Sequence, residues 1–181
     1  MADDLLAGLA ARIGRLEAES AVRRCLADYM DLCDRLDGAT DLSALGALFT
    51  REAVWEGGGP RYDEAFGRHR GREAIVAWLR SFCTQPPHFA MNAHFLTSET
   101  VEVSSGERAH GRWLMLQTPQ FHDGRCFLMA ARLDIDFALE EGAWRMARFR
   151  TTNLYARAIA HWNEDITIPA PPGPPPTTGA K

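Results

Sequence analysis

The spacing of apolar residues changes once along the chain, from helical periods to strict alternation near residue 92. Leu5, Leu6, Leu9, Ile13 and Leu16 recur at three- and four-residue steps around Arg12, Arg15 and Glu17, which predicts an amphipathic helix over 5–18. Ser20 reads as the N-cap of a second helix, with Val22, Leu26, Met30 and Cys33 as its inward stripe and Gly38 as a left-handed stop. Thr40 or Asp41 can cap a short third helix that buries Leu42, Leu45, Leu48 and Phe49. A fourth helix after Gly71 groups Ile75, Trp78, Leu79 and Phe82. Between these two, Ala53–Glu56 reads as a short strand closed by the loop Gly57-Gly58-Gly59-Pro60, with no helix following that would use the glycines.

Period-two runs then cover 94–103, 107–117, 125–139 and 143–155, parted by Ser104-Ser105-Gly106, Asp123-Gly124 and Glu140-Glu141-Gly142. They predict a meander of long antiparallel strands. On the third run Met129, Ala131, Leu133, Ile135, Phe137 and Leu139 share one face, and Arg132, Asp134 and Asp136 share the other. One side of the sheet is therefore packed, and the other meets water or a symmetry mate. Helices first and a meander afterwards make an α+β domain.

Composition narrows the partners more than it names them. The 181 residues suit one domain, assigned here to residues 1–168, followed by a Pro-rich tail at 169–181 that lacks the apolar residues to offset its ordering entropy. A formal net charge of −4 gives no electrostatic reason to expect nucleic acid or an anionic membrane. Cys25, Cys33, Cys83 and Cys126 form no C-x-x-C pair, and the N-terminus carries Asp3 and Asp4 where a signal peptide would be basic. Free thiols, no membrane association and a cytoplasmic location are the expectations.

Two ionisable residues fall where apolar ones are expected. Asp34 lies four residues after Met30 and eight after Leu26, on the inward stripe if the helix continues through it; otherwise it only ends the helix before Gly38. A carboxylate there must be paired, neutralised or functional, because burying it alone is costly. His94, in Met91-Asn92-Ala93-His94-Phe95, stands at the mouth of the first long strand and either faces a pocket or packs in the core. A histidine beside a carboxylate is the usual general acid/base. Tyr29 flanks the same helical face. The remaining histidines show no metal-ligand spacing, and neither a phosphate loop nor a nucleophile elbow is present, so no metal and no cofactor are expected.

Beyond these local signals, several segments together resemble the SnoaL-like branch of the nuclear transport factor 2-like superfamily. They are the helix Ala21 to Asp37, Phe49 to Trp55, Gly67 to Ile75, Ala93-His94-Phe95, Gly111-Arg112-Trp113, Asp123-Gly124 and Glu141 to Met146, and the likeness spans roughly residues 8–160. It implies a cone-shaped α+β barrel in which helices close one strongly curved antiparallel sheet. Within that branch the pattern looks most similar to scytalone dehydratase and the bile-acid 7α-dehydratases. By that resemblance Asp34 and His94 would be the catalytic pair and Tyr29 the helix tyrosine, removing a proton beside a carbonyl and assisting loss of a hydroxyl.

Other positions depart from scytalone dehydratase. Its second catalytic histidine falls near Gln120, its strand asparagine matches Leu133, and its two tyrosines match Cys33 and roughly Gly57. The expected ligand is instead a larger apolar molecule, such as a steroid or another polycycle, held by Trp55, Phe89, Trp113 and Met115. Gln120, Ala131 and Leu133 would complete that wall. The expected activity is that of a dehydratase or isomerase acting on a hydroxy-ketone, in a homo-oligomer of two or three chains. The competing expectation is a non-catalytic binding or docking module of the same fold, as in the small subunits of ring-hydroxylating dioxygenases.

Overall fold

The computed structural model describes residues 1–162; the proposed domain boundary at 168 and the tail at 169–181 lie outside the described residues. The two helices expected over 5–18 and 20–38 are one, α1 (Ala2–Asp34). Ser20 is an exposed interior residue, since Glu17, Ala18, Glu19 and Ala21 around it are compatible with uninterrupted helix. The helix ends at Asp34 without a left-handed Gly38. A polar turn stops it, in which Thr40 Oγ1 accepts from the Asp37 backbone N–H at 2.9 Å and donates to the Arg35 carbonyl at 3.1 Å.

Asp41 caps α2 (Leu42–Ala47) by accepting from the Ser43 backbone N–H. The expected glycine loop is absent. Strand β1 (Phe49–Gly58) runs straight into α3 (Gly59–Phe66), with Pro60 in the first turn, where its missing N–H costs nothing. After β2 (Arg68–Arg70), α4 (Arg72–Arg80) follows Gly71, whose φ of 87° demands glycine.

The remaining strands are β3 (Phe89–Met91), β4 (His94–Ser105), β5 (Arg108–Gln117), β6 (Gln120–Phe121), β7 (Cys126–Glu140) and β8 (Ala143–Ile159). The main sheet runs β2-β1-β8-β7-β5-β4, and β3 and β6 form a small annex beside β7. Every pairing is antiparallel except β1 with β8, where the chain returns parallel after the meander. The result is a mixed α+β domain with helices packed on a curved, mainly antiparallel sheet.

Leu26, Leu45, Phe49, Ile75, Leu133, Ile135, Phe137 and Met146 are fully buried in the core. On the polar sheet face Arg148 and Arg150 turn to Glu56, at 2.6 and 3.9 Å. Asp134 and Asp136 lie opposite Arg150 and Arg148, and His110 pairs with Asp136 at 2.9 Å. All four cysteines are free, and no described helix is long and apolar enough to cross a membrane.

Candidate active site

Asp34 is the last residue of α1, and His94 is the first of β4, the edge strand of the sheet. The helix stripe that buries Leu26, Met30 and Cys33 delivers the carboxylate to the strand mouth. Oδ1 of Asp34 accepts from the His94 ring at Nδ1 (2.6 Å) and from Asn92 Nδ2 (2.9 Å), and Oδ2 accepts from the His94 backbone N–H (3.1 Å). Asn92 is itself held by Gln117 Nε2 at 3.0 Å. Three donors thus fix the carboxylate. In the tautomer whose Nδ1–H donates to Asp34, the other ring nitrogen carries a lone pair that no contact among the described residues uses. Little of either side chain meets solvent, 10% for His94 and 22% for Asp34.

His94 lines a cavity of about 350 Å³ between the sheet and α1, α3 and α4. Its walls form an aromatic band. Phe149 stacks on Trp55 at 5.5 Å, Trp55 meets Trp78 at 4.3 Å, and the contacts continue through Phe82 and His88 to Phe121. A cavity of this size and lining suits a small apolar molecule.

Tyr29 lies on the cavity wall, its Oη accepting from Trp55 Nε1 at 3.0 Å. Burial, then the neighbouring Cys33, holds its phenol well above the usual range, so it is a neutral donor. Burial also pushes the Cys33 thiol up to about 12, which leaves no thiolate nucleophile there.

Of the residues expected to hold a ligand, Trp55, Phe89 and Met115 line the cavity together with Tyr29 and His94, while Asp34 stands behind His94. Trp113, Gln120, Ala131 and Leu133 do not line it, which corrects the expected wall. The Trp113 indole instead donates to Glu99 and packs on Phe137. Ala131 and Leu133 are sealed in the core, and Gln120 pairs with Met91 and Cys126 at the annex. Sequence reasoning did not find Tyr62, Phe66, His88 or Phe121 as lining residues. Tyr62 and Phe66 stand four residues apart in an aromatic-rich stretch over 62–89 that also holds His88, whereas Phe121 lies outside it and carried no signal. Burial and the Arg125 guanidinium, opposed by Asp123, push the His88 imidazole below its ordinary value, so it sits neutral among its aromatic neighbours. Among the described residues no three His, Cys, Asp or Glu side chains converge as a metal site.

Thr151, on the cavity wall, has a buried Oγ1 without a hydrogen-bond partner among the described residues. Thr151→Val replaces that hydroxyl by a methyl of similar shape. Calorimetry is expected to show a melting temperature about 2–4 °C higher, from about 1 kcal/mol of relieved desolvation.

The profile of a family described as a SnoaL-like domain matches residues 14–150. No protein with a curated description matches. Among solved structures, an NTF2-like protein with a cystatin-like fold from Novosphingobium aromaticivorans is 26% identical over 82% of this chain and 90% of its own, with a TM-score of 0.64. The hexachlorocyclohexane dehydrochlorinase LinA-type3 from Novosphingobium barchaimii LL02 is 17% identical over 84% and 99%, with a TM-score of 0.69. A candidate scytalone dehydratase from Novosphingobium aromaticivorans is 17% identical over 88% and 92%, with a TM-score of 0.64. The last two likenesses show a shared fold.

Proposed function

The chain belongs to the SnoaL-like domain family, and from that premise we propose that its cavity is the active site of a cofactor-independent lyase or isomerase acting on an apolar hydroxy-ketone. The observation that carries this reading is the 2.6 Å contact of His94 with Asp34 at the wall of an open aromatic cavity. Neither residue is needed there to fill space, and one ring nitrogen of His94 is left for a guest.

In the proposed reaction that nitrogen removes a proton from the carbon beside the substrate carbonyl. Asp34 stabilises the imidazolium that forms, and Tyr29 donates its phenolic proton as a hydrogen bond to the carbonyl oxygen as charge builds there. The electrons of the broken C–H bond form a C=C bond as the neighbouring C–O bond breaks. The imidazolium proton then leaves with the hydroxyl as water, and the histidine is regenerated. Returning the proton to another carbon instead gives an isomerase. The names of two structural neighbours, a dehydrochlorinase and a candidate dehydratase, are those of elimination enzymes, which accords with this chemistry.

A panel of keto-steroids and hydroxylated polycyclic ketones tests the reading, with binding followed through quenching of Trp55 and Trp78 and elimination through enone absorbance. At least one member should bind and lose water. Binding without conversion across the panel would favour the non-catalytic module, and no binding at all would contradict the choice of ligand class.

A further inference from the structure

The first half of α1 carries its apolar edge in water. Residues 1–17 are all exposed, with Leu6 at 63%, Ile13 at 54% and Leu16 at 64%. The buried residues of the helix begin only at Val22.

The exposed positions have a definite frame. Leu6, Leu9, Ile13 and Leu16 alternate steps of three and four, which is a heptad seam with Leu6 and Ile13 at a and with Leu9 and Leu16 at d. In the second heptad Ile13 at a with Leu16 at d is the combination that favours two strands. In this frame Arg12 occupies g and Glu17 occupies e, and neither has an ion pair among the described residues. In a parallel pair, g of one helix faces e of the next heptad in its mate. Arg12 would then meet Glu17 of the partner subunit, twice by symmetry. An antiparallel pairing centred on the same seam brings Arg12 towards its own copy, so charge selects the parallel arrangement.

Among the described residues nothing covers the leucine edge. The other edge of the helix, at Ala11, Gly14 and Ala18 with Arg12 and Glu17 on its flanks, faces a hollow of about 690 Å³ walled by Val103, Leu139 and Trp144, and Leu6, Leu9, Ile13 and Leu16 take no part in that lining, so the two charges border both the hollow and the leucine edge.

We propose that the occupant is a second copy of this chain, and that the exposed halves of two α1 helices form a short parallel coiled coil with both domains at one end. The inference does not depend on the catalytic reading.

The test is the mass of the full chain by sedimentation across a micromolar dilution series. Wild type is expected at twice 20.1 kDa, and Ile13→Glu at one chain mass with an unchanged domain melt. Arg12→Glu and Glu17→Arg should each weaken the dimer by about tenfold or more through like charges at g and e. An equimolar mixture of the two should form heterodimers, and the double variant should dimerise again. A wild type that is monomeric throughout, or that sediments as a trimer, overturns the proposal. So does a dimer that survives Ile13→Glu, because its contact would lie elsewhere, and so do charge variants that neither weaken alone nor recover together.

Discussion

Replacing His94 by alanine is expected to lower turnover of a hydroxy-ketone substrate by about 10²–10⁴-fold while the domain stays folded, the usual range for loss of a general acid/base. The side chain faces a cavity, so its removal enlarges that space without opening the core around Leu133, Ile135 and Phe137. Asp34→Asn should fall in the same range for a different reason. An amide fits the carboxylate's volume and can still accept a hydrogen bond from Nδ1, but it offers no charge to an imidazolium. It also brings two N–H donors into a site where Asn92 and the His94 backbone already donate. Substrate affinity should change far less than turnover, because neither substitution touches the aromatic band. Steady-state kinetics with both variants separates kcat from KM.

Gly57→Ala is the second large effect, and here the fold itself is at stake. A Cβ on Gly57 would lie 2.1 Å from the Tyr62 backbone oxygen and 2.6 Å from its carbonyl carbon. The obstacle is main chain, so no rotamer change relieves it and α3 must move away from β1. Overpacking of this kind costs about 3 kcal/mol, which corresponds to about 6–12 °C in melting temperature for a domain of this size. Tyr62, Ala65 and Phe66 of α3 line the cavity, so ligand binding should fall with stability. Gly106→Ala is the matched control, since nothing lies within 4 Å of the added carbon and its melting temperature should hold.

That glycine also marks the limit of what the sequence made legible. Period-two alternation located the four long strands, and Ile75, Trp78 and Leu79 located α4, because in each the pattern of burial is set by local geometry. The inward stripe of α1 pointed to Asp34, and the switch to alternation pointed to His94, so the ends of two elements brought the pair into view. Gly57 to Pro60 read as a loop because glycine and proline are local punctuation. Their actual use is the close approach of α3 to β1, a contact between segments that no periodicity records. The aromatic band was hidden for the same reason. Trp55, Trp78 with Phe82, His88 and Phe121 come from four separate segments, and only the fold makes them one wall. Ser20 misled in the opposite direction, because a good capping residue inside strong helix formers is simply helix.

The central claim is that His94, held by Asp34, moves a proton to and from a carbon in this cavity. Proton NMR in D₂O measures that step on 1-tetralone and on a keto-steroid without requiring a leaving group. Wild type should wash out the hydrogens beside the carbonyl much faster than buffer alone, and His94→Ala and Asp34→Asn should return the rate close to that of buffer. Exchange that is equally fast in wild type and both variants would contradict the account.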